Sequence, residues 1–204
     1  MLLAGLCACS GAQTQPTTAA TSLNQTTTAA TTTTTTRPAT TEPPVSMPDD
    51  NTAWANYIVD ENYNYIADRL TKTQKTNVGN MCAAVGCKVV FEESYTKVTD
   101  AKRNVVYYSK DFGDDTIIAE PQFGVLTLAK RAGSETVFVY KGATILNFIS
   151  YIERVENDGF SYYAVNSINY LNGEGIFVGS DENGSSVIIQ YTGNMIVIAL
   201  TEVE

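Results

Sequence analysis

Residues 160–201 read FSYYAVNSINYLNGEGIFVGSDENGSSVIIQYTGNMIVIALT. Short runs rich in Val, Ile, Tyr and Phe alternate here with turn dipeptides, which is typical of β-hairpins. The predicted strands are residues 160–166, 168–171, 175–179, 186–191 and 195–201. The dipeptides between them that suit tight turns are Asn172-Gly173, Asn183-Gly184 and Gly193-Asn194. Because such short turns join antiparallel neighbours, the stretch predicts an antiparallel sheet and excludes a doubly wound parallel one.

The residues before this stretch extend the predicted sheet. Further runs of strand-forming residues occupy 87–95, 104–112, 115–120 and 125–130, separated by turn residues that include Gly, Asp and Pro. Residues 136–141 have apolar side chains on both faces, so we expect this strand near the centre of the sheet.

A helix is predicted between the strands, over about residues 144–156. Its apolar side chains recur at intervals of three and four rather than two. Thr144 is the candidate N-cap, and the stop signal is Asn157-Asp158-Gly159. The high content of β-branched residues leaves a long strand as the alternative.

A second helix is predicted at the start of the domain. Apolar residues from Trp54 to Leu70 follow the helical period, with a polar gap at residues 60–62. The pattern indicates one helix over about residues 52–70, or two short helices broken at the gap. The fold class is therefore α+β, with an N-terminal helix, a twisted and mainly antiparallel sheet, and a second helix near residues 144–156.

The composition changes sharply at Asp49. Residues 10–48 are rich in Thr, Pro, Ala and Gln and include six consecutive threonines at 31–36. Because these residues include few apolar side chains, burying them cannot offset the entropy lost on ordering the chain. We therefore expect a disordered stalk there. Residues 49–204 form one predicted α+β domain, and residues 1–9 precede the stalk.

The N-terminal residues Leu6-Cys7-Ala8-Cys9 resemble a bacterial lipobox. The resemblance implies a truncated lipoprotein-type signal over residues 1–9, with lipid attached to Cys9, and a protein tethered to the cell membrane on its extracytoplasmic side. Cys7 fits less well because bulky Leu6 would stand where a small residue is wanted. The alternative is a chance apolar start on a cytosolic chain.

Composition and charge exclude several classes of function. The 204 residues contain no His, so Ser-His-Asp catalysis, Cys-His catalysis and His-ligated zinc are excluded. There are 22 acids against 13 bases, which gives a net charge of -9. Such a chain lacks the basic surface that nucleic acid or an anionic membrane requires. We identify no catalytic residue, and we expect no cofactor and no metal site.

Two cysteines and two tyrosine pairs stand out within the domain. Cys82 and Cys87 form a disulfide if the domain is exported, or remain free thiols. Tyr107-Tyr108 and Tyr162-Tyr163 lie on predicted strands, so one ring of each pair should be buried and the other exposed. We expect the exposed rings to be candidate ligand contacts.

The leading hypothesis is a non-enzymatic binding module on a lipid-anchored stalk, whose extracellular ligand is a glycan or a protein. One alternative is a secreted hydrolase acting through carboxylates or a Ser-Lys pair. Another is a structural or assembly subunit that uses exposed strand edges.

Cys9→Ala should move the protein from the membrane fraction into the medium, because the acylated thiol is lost while the domain is untouched. The measurement is fractionation of a chain carried by an export signal that supplies basic and apolar regions before Leu6. Cys7→Ala is the matched control and should stay with the membrane. Equal fractionation of both variants would contradict the assignment of Cys9.

Overall fold

A computed structural model describes residues 53–203 of the protein. These residues form a nine-stranded sheet in the order β1-β2-β3-β4-β5-β9-β8-β7-β6, in which every neighbouring pair is antiparallel. The strands are β1 Lys88–Phe91, β2 Tyr95–Thr99, β3 Val105–Ser109, β4 Val125–Ala132, β5 Glu135–Lys141, β6 Tyr162–Asn169, β7 Glu174–Ser180, β8 Ser186–Thr192 and β9 Met195–Thr201. The α-helices are α1 Lys72–Ala84 and α2 Ile145–Asn157. The α+β class and the antiparallel sheet are confirmed.

The order of the strands joins two meanders at the centre of the sheet. Strands β1 to β5 follow one another, α2 then carries the chain to the far edge, and β6 to β9 return toward β5. The last strand pairs with β5 along its whole length, from Glu135 opposite Thr201 to Lys141 opposite Met195. The central position predicted for residues 136–141 is therefore confirmed.

Helix α2 forms where the sequence predicts it. Its N-cap is Thr144, whose Oγ1 accepts the Asn147 N–H at 3.2 Å while the Asn147 side chain accepts the Thr144 N–H at 2.9 Å. This reciprocal capping box satisfies donors that the first helical turn leaves free. The helix ends at Asn157 with Asp158 as its C-cap, and Gly159 follows with φ +109°, a conformation that favours glycine.

The N-terminal helix differs from the prediction. Residues 53–70 contain two single turns of 3-10 helix, Ala55–Tyr57 and Ala67–Arg69, rather than one α-helix. The break lies at the polar gap, where the Asp60 carboxylate accepts the N–H groups of Asn62 at 2.9 Å and Asn64 at 2.8 Å. This local bonding competes with the helix and turns the chain back on itself. The alternative prediction, two short helices broken at the gap, is closer to the structure than the single helix.

The sequence pattern missed α1. Its thirteen residues are largely polar and bury only Val78 and Cys82, so they show no apolar stripe. The signal that could have located it is the capping box at Thr71, whose hydroxyl accepts the Gln74 N–H at 3.3 Å. The helix packs beside β1 at the edge of the sheet.

Four predicted strands also change. Residues 87–95 divide into β1, a turn and the start of β2, whereas 160–166 and 168–171 join in β6. Residues 115–120 are not a strand but run along the surface of the α2-face core, into which only Ile118 of the six is buried. There the Ala119 carbonyl accepts the Tyr151 Oη hydrogen at 2.9 Å, and the Ala119 N–H donates to Asp158 at 3.1 Å. The hydrogen bonds of the Ala119 backbone are therefore made with α2 and its C-cap residue, and not with a neighbouring strand.

Each face of the sheet has its own hydrophobic core. On the face that we call the α2 face, Phe138, Phe177 and Ile198 are buried with the apolar side of α2. On the opposite face, called here the N-terminal face, buried Leu128 and Val139 pack with residues of the segment 54–70. Alternation along β5 explains the division, because successive side chains of a strand point to opposite faces.

Two glycines should respond in opposite ways to substitution by Ala. Gly179 in β7 leaves no room for a Cβ, which would collide with the Phe160 carbonyl oxygen, whereas Gly79 in α1 has open space. We expect Gly179→Ala to lower the free energy of unfolding by about 1–3 kcal/mol. Gly79→Ala should raise it by about 0.5–1 kcal/mol, because glycine inside a helix is costly.

Urea titration followed by circular dichroism measures both changes. An unchanged stability of Gly179→Ala would contradict the close packing of β7 against the chain at Phe160.

Candidate functional site

A groove of about 550 Å³ lies on the N-terminal face, between the 54–70 segment and the sheet. Its floor is apolar and comes from β4, β5 and β9, through Leu128, Val137, Val139, Met195 and Val197. Polar side chains surround this floor, namely Asn56, Tyr63, Tyr108, Lys130 and Gln190. An apolar floor with a few polar groups around it is the usual composition of a small-molecule site.

Hydrogen bonds hold the outer wall of the groove against the sheet. The Tyr65 N–H donates to the Thr127 carbonyl at 2.8 Å, and the Thr127 hydroxyl donates to the Tyr63 carbonyl at 3.0 Å. The Tyr65 and Thr96 hydroxyls share a buried bond of 2.9 Å. Lys141 Nζ donates to Asn64 Oδ1 at 2.9 Å. The groove is therefore preformed rather than a gap beneath a loose loop.

The electrostatics of the groove favour an anionic group. Lys130 is the charged residue in its lining, and no carboxylate of the described chain lines it. Within residues 53–203, Lys130 forms no ion pair. Burial raises the pKa of Tyr108, so its hydroxyl stays protonated and can donate a hydrogen bond at neutral pH.

Trp54 lies at the start of the wall segment and packs against the core of the N-terminal face. Its Nε1 is buried and has no hydrogen-bond partner among the residues that the structure describes. It is the one tryptophan of the chain, so its fluorescence reports on this wall alone.

The predicted tyrosine contacts do not come together. Tyr108 lines the groove and is half-buried, while its neighbour Tyr107 is exposed on the α2 face, with its ring 5.7 Å from that of Tyr95. Tyr162 and Tyr163 are both exposed, so the expectation of one buried ring is wrong for this pair. The pairing of β6 with β7 is irregular here and Tyr163 has φ +53°, which disrupts the simple alternation. Strands β3 and β6 lie six strand spacings apart along the sheet.

The neighbouring acidic residues of the sequence accept hydrogen bonds within turns or are exposed to solvent. Glu92 and Glu93 follow β1 in an exposed turn, and the Asp181 carboxylate accepts the Asn183 and Ser185 N–H groups. Asp115 lies 3.7 Å from Arg131 and lines a pocket of about 180 Å³ together with Glu202. In residues 53–203, no group of three or more Cys, Asp or Glu side chains is arranged to hold a metal ion.

Cys82 and Cys87 lie at the junction of α1 and β1. The Cys87 N–H donates to the Cys82 carbonyl at 2.8 Å, so the two backbones adjoin. Both are free thiols in the structure, Cys82 buried and Cys87 half-buried. The disulfide between them stays a prediction.

Comparison with known protein families, curated proteins and solved structures gives no significant match. No helix within residues 53–203 is long and apolar enough to cross a bilayer. The groove is the functional feature that sequence reasoning missed. The tyrosine pairs predict Tyr108, but the rest of the lining comes from five separate parts of the chain, namely the 54–70 segment and strands β4, β5, β8 and β9, and no local pattern marks it.

The two thiols should react at very different rates in the folded protein. Burial, with a smaller contribution from nearby Cys87, raises the pKa of Cys82 to about 11, so about one Cys82 in a thousand is thiolate at pH 8. Iodoacetamide should therefore modify Cys87 first and Cys82 only on unfolding, as mass spectrometry would show. Resistance of both until a reductant is added would instead demonstrate the disulfide.

The raised pKa of Cys82 also predicts how the free energy of unfolding depends on pH. The unfolded state loses the Cys82 proton near the ordinary pKa of 9.0, before the folded state does. This contribution to stability is therefore present below about pH 9 and declines as the pH rises toward 11.

Proposed function

We propose that the protein is a membrane-tethered extracytoplasmic lipoprotein whose domain is a non-enzymatic binding module. Its ligand in this proposal is a small amphipathic molecule with an apolar body and an anionic end. The groove on the N-terminal face carries the proposal, since it combines an apolar floor with the cationic side chain of Lys130.

Two sequence features support the tether. Leu6–Cys9 resembles a lipobox, and the Thr- and Pro-rich residues 10–48 follow directly. In this proposal the lipid at Cys9 holds the chain to the membrane, and the stalk separates the domain from the surface. The two features support each other because a spacer is useful directly after an anchor.

The size and chemistry of the groove favour a small ligand over a glycan. A volume of about 550 Å³ lies within the range of small-molecule sites. Sugar hydroxyls would remain without partners against Leu128, Val139 and Val197, at the cost of desolvating them. The apolar body of an amphipathic ligand, in contrast, would gain binding free energy from burial against these side chains. Tyr108, Asn56 and Gln190 offer polar groups at the margins, where they can orient a polar end.

The carboxylates support binding rather than hydrolysis at this site. The groove lining contains no Asp or Glu among the described residues, so the acid and base of a carboxylate-dependent hydrolase are not available there. Asp115 and Glu202 share a smaller pocket, but Asp115 is exposed and faces Arg131, an arrangement ordinary for a surface ion pair.

The test uses two fluorescent probes of the same shape, anilinonaphthalene sulfonate, which is anionic, and N-phenylnaphthylamine, which is neutral. We expect each to bind one site per chain and to quench Trp54 by energy transfer. Lys130→Gln should weaken binding of the sulfonate probe by about fivefold, which corresponds to ~1 kcal/mol, the value of a partly exposed ion pair. It should leave the affinity for the neutral probe unchanged.

Lys97→Gln is the matched control, because Lys97 lies away from the groove with its Nζ 5.5 Å from the centre of the Tyr107 ring. It should leave both affinities unchanged. Equal effects of the two lysine variants, or no saturable binding of either probe to the folded protein, would contradict the proposed site.

A further inference from the structure

Large exposed hydrophobic residues are concentrated at one end of the sheet. Residues 53–203 contain thirteen of them, and seven lie on β6, on the turn after it, or on β7 and β8 beside it. These seven are Tyr162, Tyr163, Val165, Tyr170, Leu171, Ile176 and Ile188. Scattered exposed hydrophobics are normal, but a cluster of this kind marks an interaction surface.

Strand β6 is the edge of the sheet at this end. It pairs with β7 on one side, and seven of its eight residues are exposed. Along its other side, the backbone N–H and C=O groups have no neighbouring strand in the part of the chain that the structure describes. The sequence from Gly159 to Gly173 contains no charged residue, so nothing on this edge repels an approaching strand.

The opposite edge shows the protection that β6 lacks. Strand β1 has four residues, begins with Lys88 and lies beside α1, whose Lys75 places its ammonium 5.4 Å from the centre of the Phe91 ring. Short length, lysine and a covering element are the usual defences of an edge strand. The irregularity near Tyr163 protects the start of β6, but pairing with β7 is regular from Val165 to Asn169.

In its lack of charged residues, β6 resembles three of the interior strands. The other strands without a charged residue are β3, β8 and β9, and each has a strand on both sides. An uncharged, regular strand with one free side resembles an interior strand whose second neighbour comes from another chain.

We propose that this second neighbour is β6 of another copy of the same protein. Two β6 strands paired antiparallel about a two-fold axis form one continuous sheet of eighteen strands, twice the nine of one chain. An antiparallel pair of identical strands is self-complementary, so one surface supplies both halves of the interface.

The side chains beside the edge suit this pairing. On the N-terminal face, Val165, Val178 and Ile188 lie opposite one another across β6, β7 and β8 and form an apolar row. The two-fold axis stands perpendicular to the sheet, so the rows of both copies lie on the same face and meet at the new strand pair. An uncharged contact also allows two chains of net charge -9 to approach.

The exposed area is large enough for a stable contact. Tyr162, Tyr163 and Tyr170 are 52%, 92% and 71% exposed. At roughly 150–250 Å² for each aromatic side chain, these three alone present on the order of 400 Å². A standard interface buries about 800 Å² per partner, and exposed Val165 and Leu171 together with the unpaired backbone of β6 add to this area.

Sedimentation equilibrium of the unlipidated full chain tests the inference. We expect a monomer–dimer equilibrium that tightens when salt screens the repulsion between the acidic chains. Val165→Lys should weaken dimerisation at least tenfold, since it places a charge on the edge and two charges near the axis.

Val125→Lys is the matched control, because Val125 is also an exposed strand valine, 66% exposed against 62% for Val165. It should leave the dimer unchanged, and thermal unfolding should show that both variants fold. A monomer at every concentration and salt, or a dimer that Val165→Lys does not weaken, would overturn the inference. The groove at Lys130 is a separate site, so loss of dimerisation would leave probe binding intact.

Discussion

The pairing of β5 with β9 is the contact on which the rest of the structure depends. It joins two meanders that are otherwise connected through α2, and it brings together strands about sixty residues apart in the chain. Phe138 and Ile198 face each other on the α2 face, while Val139 and Val197 face each other on the N-terminal face. One strand pair therefore supplies the centre of the larger core and the floor of the groove. Closing so long a loop costs entropy, and burial on both faces offsets that cost.

The two layers that cover the sheet are displaced from one another, and this displacement creates the surfaces of interest. On the α2 face, the helix packs over β7 and β8. On the N-terminal face, the 54–70 segment covers the other meander, as far as Val139 and Val197. The segment is thin because Asp60 turns it back on itself, so it leaves a groove instead of a sealed core. Beyond the groove, the same face of β6, β7 and β8 stays exposed.

Both proposed interactions fit an acidic protein, though in different ways. In the groove, Lys130 is a local positive charge on a chain of net charge -9, and in this proposal it attracts the anionic end of the ligand. At β6 the useful property is the lack of charge, since neutral side chains allow two acidic chains to come into contact. Each proposed interaction therefore depends on local charge rather than on the net charge, one on a lysine and the other on the absence of charged side chains.

Local signals in the sequence determined the antiparallel class, the central strand β5 and helix α2 with its Thr144 cap. These features depend on residues that are neighbours in the chain, such as turn dipeptides, side-chain periodicity and capping pairs. Only the tertiary structure decided that residues 115–120 do not become a strand, because the backbone of Ala119 bonds to Tyr151 and Asp158, more than thirty residues away. The groove has the same origin. Tyr108 could be noticed from the sequence, but its position beside Val139, Lys130 and Met195 follows from strand order, which a strand's own residues do not encode.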